Sequence, residues 1–210
     1  MFKISRRHLI TGTTGLAVGT FAVPLVESAQ EVAPEECWKY VKLSPQVVAQ
    51  CVYETYRTHG CLYGAFKGAV LEYAKANPAM AQTAQAFPFI ALRCGRGGFG
   101  RLKQLCGAVA GAVMFMNCFV GDFKQLCVLA DKLGKYAAES PLPDFVPAED
   151  KNPDFLKVVS HGLTCREMGG AWMGKANAEQ KKLVGERCKR HTASIMAKTI
   201  ELLNEHFNCK

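Results

Sequence analysis

CGRGGFGRLKQLCGAVAGAVMFMNCFVG, residues Cys94–Gly121, joins a glycine-rich loop to an apolar stretch that opens beside Cys106. From Leu105 to Val120 only Asn117 interrupts the apolar run, which is short of the ~20 residues a membrane-spanning helix needs. Gly107, Ala108, Gly111 and Ala112 recur at spacings of three and four, which lets neighbouring helices approach closely. The stretch therefore predicts a buried central helix. The loop before it, Gly95 to Gly100, matches GxGxxG, but a dinucleotide fingerprint needs a preceding strand in a strand–helix alternation. The remaining readings are a flexible turn, or a backbone passing close to a bulky group with free N–H groups aimed at it.

Outward from this stretch the chain reads as helix after helix. Ser44-Pro45 caps a helix running through Arg57, with Val48, Cys51, Val52, Thr55 and Tyr56 inward and His59-Gly60 as its end. Cys61 opens a second helix that Asn77-Pro78 closes. A third, shorter helix falls within residues 79–93, and another spans Phe123 to Ala138. Prolines and acidic residues from Glu139 to Pro153 predict a solvent-exposed connector, with a fresh helix start at Asn152-Pro153-Asp154. His161 to Cys165 reads as a turn delivering a cysteine, followed by the glycine-broken GGAWMG. Asn177 and Gln180 make a capping box for a last helix reaching about Phe207, its inward stripe including Cys188. The expected fold class is all-α: a compact domain of about six helices, with the glycine-rich loop ahead of the buried central helix.

Composition narrows the function. With 49% hydrophobic and 21% charged residues among 210, the chain is neither disordered nor a multi-span membrane protein. Of the +8 net charge, three basic residues and one acidic residue lie in residues 1–29, leaving +6 for the rest. Those charges are scattered; the clusters at Lys181-Lys182 and Arg187 to Arg190 read as a solvated helix face, and no nucleic-acid partner is expected. Convergent carboxylates or a Ser-His-Asp order for hydrolysis are not in view.

The ten cysteines, at 37, 51, 61, 94, 106, 118, 127, 165, 188 and 209, include no CxxC pair. That removes the usual spacing signals of zinc ribbons, thioredoxin sites, cubane ferredoxin runs and CxxCH haem attachment. Cys61, Cys106 and Cys165 each lie at or near a helix start beside a glycine, where the helix dipole and free N–H groups favour thiolate. Cys188 is placed to complete a four-sulfur set. For each cysteine singly, a buried structural thiol is the plainer reading.

Residues 1–29 read as a twin-arginine export signal, with Arg6-Arg7-His8-Leu9-Ile10, a mildly apolar segment to Val26, and small residues before the cut; an uncleaved anchor is the alternative. Twin-arginine export carries folded proteins, so thiols can ligate metal in the reducing cytoplasm before transport to the periplasm. A plain secreted protein would instead pair ten cysteines as five disulfides. Residues 30–210 form the single cysteine-rich domain, with no integral membrane segment after cleavage.

Cys61-Leu-Tyr-Gly-Ala-Phe, Phe87-Pro88-Phe89, Cys106-Gly-Ala-Val-Ala-Gly111, Thr164-Cys165-Arg166 and Arg187-Cys188 together resemble the C-GCAxxG-C-C redox-active proteins and the cysteine-rich domain of split-Soret cytochromes c. The resemblance runs from about Pro45 to Leu203. It implies an iron–sulfur cluster, or a redox-active thiol set, on Cys61, Cys106, Cys165 and Cys188, with Gly97, Gly98 and Gly107 lining the cofactor. No CxxCH is present, so covalent haem is not expected. Cys94 competes as a ligand, and the remaining cysteines are core thiols or pair in an oxidising compartment. The expected function is exported electron transfer, with an unknown redox partner protein and homodimerisation open. Two alternatives stand beside it. Cys188 and His191, three apart, suit a Cys3His zinc site, although His191 beside Lys189 and Arg190 reads more simply as a helix-surface residue. A disulfide-held binding protein is the other.

Overall fold

The structure, a computed structural model, describes residues 37–209 apart from 151 and 153. The expected leader and its cleavage point lie outside the described residues. Eight α-helices occur among those described: α1 Pro45–His59, α2 Cys61–Ala76, α3 Ala81–Ala86, α4 Gly107–Asn117, α5 Phe123–Glu139, α6 Cys165–Lys175, α7 Ala178–Lys182 and α8 Val184–His206. Two 3-10 segments, Pro78–Met80 and Phe89–Gly95, flank α3. None of these helices is long and apolar enough to cross a membrane.

Local chemistry sets the expected boundaries. Ser44 accepts from the Val47 N–H with Pro45 in the first turn of α1, and Gly60, at φ 93°, ends α1 and begins α2. Because α1 and α2 meet at a single left-handed glycine, they fold back on each other and Cys61 becomes the first residue of α2. Gly111 lets α4 lie against α2, where an added Cβ would sit 2.8 Å from Ala65 Cβ. Val109, Ala112, Phe115 and Met116 are buried along α4, so this helix is central as its composition predicts. α8 packs on α1, α2, α4 and α5. Its buried Thr192, Ser194 and Thr199 hydroxyls donate to the carbonyls of Cys188, Arg190 and Ile195, so they cost little inside the core.

Four expectations are corrected. The last helix is broken at Leu183 into α7 and α8, although its Asn177/Gln180 capping box is present. No helix begins at Asp154; the segment from there to Ser160 is irregular, with an isolated bridge between Leu142 and Val158. The glycines at 169, 170 and 174 do not break α6, because a Thr164/Glu167 capping box starts it and Met168 and Trp172 anchor it, each 1% exposed. A helical glycine costs ~1 kcal/mol against alanine, whereas burying a large apolar side chain returns ~1.5–3 kcal/mol. The acidic connector is docked rather than solvated. Leu142 and Phe145 are buried, and the Asp144 and Phe145 N–H groups donate to Ser194 Oγ.

Candidate functional site

The glycine-rich loop is built from an unusual backbone. Gly97, Gly98, Phe99, Gly100, Arg101 and Lys103 all have positive φ, and the resulting turns are closed by Lys103 N–H to Gly97 O and Gln104 N–H to Gly98 O. The loop is then stitched to the start of α6. Leu105 bridges Thr164, the Cys106 N–H donates to Leu163 O at 2.9 Å, and the Cys165 N–H donates to Gln104 O at 2.6 Å. These bonds place Cys106, the residue capping α4, beside Cys165, the first residue of α6.

Cys61 approaches from α2. An added Cβ at Gly107 would lie 2.5 Å from Cys61 Sγ and 2.6 Å from Gly95 O; one at Gly98 would lie 2.7 Å from Cys165 Cβ. Only hydrogen fits at either position. Gly107→Ala should therefore cost at least 1–3 kcal/mol, read as a lowered urea midpoint, since a backbone carbonyl cannot yield as a flexible side chain would. The Gly97 and Leu62 N–H groups face the Cys61 sulfur, and the Ala108 N–H faces that of Cys106. All three glycines expected to line a cofactor thus abut or face the candidate cysteines.

Cys188, on α8, closes the set. Its charge acts on Cys61, Cys106 and Cys165, while Cys61 acts on Cys106 and Cys165 on Cys61. The fold therefore sets the four expected cysteines within electrostatic reach of one another, from the starts of α2, α4 and α6 and from α8. Cys94 is exposed. All ten cysteines are free thiols, and Cys37 is an electrostatic neighbour of Cys118 at the far end of α4.

The protonation state departs from expectation. Helix N-termini were expected to favour thiolate, yet burial, reinforced by Cys61, pushes the Cys106 thiol up to about 12. Cys61 and Cys165 are also raised, by burial first and then by Cys188. Desolvation and like-charge repulsion outweigh the dipole and the N–H donors. A metal bound there would reverse that balance, because a coordinating thiol is deprotonated outright and metal loading releases protons.

Residues that were not expected at the site surround it. The Tyr56 hydroxyl is raised by burial and then by Cys188 and Cys61, with Arg96 opposing. Arg187 is 4% exposed, its Nη1 is 3.9 Å from Cys188 Sγ, and its charge lowers Cys106 and Cys165. The expected solvated face of Arg187 to Arg190 and the surface placement of His191 are both corrected: Arg187, Arg190 and His191 are buried. Tyr56 was visible on the inward stripe of α1, whereas no signal in the sequence marked the two arginines as interior.

Burial, aided by the Arg187 charge, holds His191 well below the ordinary imidazole range. Its neutral form is favoured by folding, so that stability is present above pH ~6.5 and is lost as pH falls below it. Metal-free protein should lose stability as pH falls below ~6.5, by at most about 1.4 kcal/mol per pH unit, measured by urea unfolding, and His191→Leu should flatten the slope. The depressed carboxyls of Asp150, Glu167 and Glu186 keep their stabilisation across this window and lose it only as pH falls through and below the ordinary carboxylate range.

Among the described residues, no group of three or more His, Cys, Asp or Glu is close enough to hold one metal ion. A single zinc needs its sulfurs at ~2.3 Å from one point. A polynuclear cluster spreads its ligands over several metal atoms and tolerates wider spacing. The glycine clefts, the N–H groups aimed at sulfur and the buried Arg187 fit such a group.

Comparison with solved structures finds that the chain is similar to the split-Soret cytochrome c of Desulfovibrio desulfuricans ATCC 27774, a protein described for its novel iron centre. Identity is 29%, the match covers 81% of this chain and 72% of that chain, and the TM-score is 0.71. No family model and no curated protein matches.

Proposed function

We propose that this chain is a redox protein that holds an iron–sulfur centre on Cys61, Cys106, Cys165 and Cys188 and transfers electrons to a partner protein. The observation that supports the reading is the electrostatic coupling of four thiols, at the starts of α2, α4 and α6 and on α8, beside glycines at which only hydrogen fits. Similarity to a cytochrome with an iron centre supports a redox role.

When bound, the centre supplies electron-transfer chemistry. The protein's own part is to ligate, shield and tune. The thiols of Cys61, Cys106 and Cys165 give up their protons on loading. The N–H groups of Gly97, Leu62 and Ala108 take up part of the resulting sulfur charge. Ala108, Val109 and Ala112 behind Cys106 exclude water. Above the site, Phe99, Leu102 and Leu105 are exposed on the loop, together with Arg101 and Lys103, so a redox partner meets an apolar and basic surface there. Residues 1–29 are read as a twin-arginine leader, which puts the folded, loaded protein in the periplasm.

The test is reversible reduction. Anaerobically prepared protein should show visible charge-transfer absorption that bleaches with dithionite and returns on reoxidation. A zinc-containing protein with no visible band, or one whose cysteines are mostly disulfide-blocked, would contradict the reading.

A further inference from the structure

Arg187 and His191 stand one turn apart on one face of α8, flanking Cys188. They are 4% and 2% exposed. Arg187 Nη2 donates to Met168 O at 3.0 Å, and Nη1 reaches Cys188 Sγ at 3.9 Å. Arg187 Nε and both His191 ring nitrogens are buried without a hydrogen-bond partner. Each buried donor or acceptor left unmade costs ~1–3 kcal/mol, and folded proteins leave few of them. Here three occur in two adjoining side chains beside the candidate ligands. Burial and the neighbouring guanidinium keep the imidazole neutral, with one N–H to donate.

We propose that Arg187 and His191 are the donor wall of the iron–sulfur centre, with Arg187 Nε and one His191 N–H hydrogen-bonding to its sulfurs and the Arg187 charge raising its reduction potential. The proposal rests on the iron–sulfur assignment. A buried cation stabilises the reduced centre, which carries one more negative charge, so removing it lowers the potential. Both residues act through the centre and are positioning residues.

Redox titration of iron-loaded wild-type protein and variants tests this, with iron and sulfide counted in each sample. Arg187→Gln should retain both and shift the oxidised-to-reduced ratio at fixed potential at least tenfold towards oxidised, about 59 mV for a one-electron couple. Arg187→Lys, which keeps the charge but loses Nε, should shift it less in the same direction; it carries the test if Arg187→Gln does not fold. His191→Leu should also lower the potential, and His191→Asn, which restores an N–H, should recover the wild-type value. Loaded variants whose ratios stay within twofold of wild type and whose visible spectra are unchanged would overturn the donor wall, whatever happens to their melting temperatures. Iron-free wild-type protein would instead defeat the iron–sulfur assignment, and this proposal with it, so the two failures are distinguishable.

Discussion

Arg190→Ala should destabilise the fold by about 3–5 kcal/mol, one of the largest costs expected for any single substitution here. Arg190 is 2% exposed and pairs bidentately with Asp150, with one bond at 3.0 Å. Its Nε donates to Glu186 at 3.0 Å, and Glu186 accepts from the Tyr53 hydroxyl at 2.6 Å. Its guanidinium also lies over the Phe155 ring at 4.5 Å. This one side chain therefore ties the acidic connector to α8 and α1. Truncation leaves the Asp150 carboxylate without its main partner, and a half-removed buried pair costs more than the intact pair contributes. Urea unfolding measures the effect. A loss below 1 kcal/mol would mean that the network is solvated like a surface pair.

Cys106→Ala should abolish the centre while leaving the fold in place. Cys106 is 6% exposed and packs among Gly107, Ala108 and other small residues, so exchanging a thiol for a methyl is a modest volume change. Far-ultraviolet circular dichroism should remain wild-type, while visible absorption and iron content fall to background. Cys94→Ala supplies the control: this thiol is exposed, and its removal should leave both signals intact. Loss of iron on removing Cys94, with retention on removing Cys106, would reassign the second ligand.

Much of this was legible in the sequence, and the rest was hidden for two reasons. Proline at the start of α1, glycine between α1 and α2, and the small-residue run of α4 act locally, so their helices could be placed within a few residues. Three of the four candidate cysteines stand out because they sit at or near helix starts beside glycine, whereas the full set of four follows from the family resemblance. The glycines of α6 mask it in the sequence, although the Thr164/Glu167 capping box that starts it is present in the chain. The burial of the cationic cluster is hidden in the sequence for a different reason. Charge can be read one residue at a time, but burial of Arg190 depends on Asp150, 40 positions earlier, and that of Arg187 on the Met168 carbonyl. The docking of the connector is hidden in the same way, since alternation of Leu142, Phe145 and Pro147 inward with Asp144, Val146 and Ala148 outward has meaning only once α8 lies beneath it.

Iron and acid-labile sulfide counted per chain, on anaerobically purified protein with wild-type circular dichroism, tests the central claim most directly. Stoichiometric iron and sulfide, lost together in Cys106→Ala, is the predicted result; a folded, colourless, iron-free protein would contradict it.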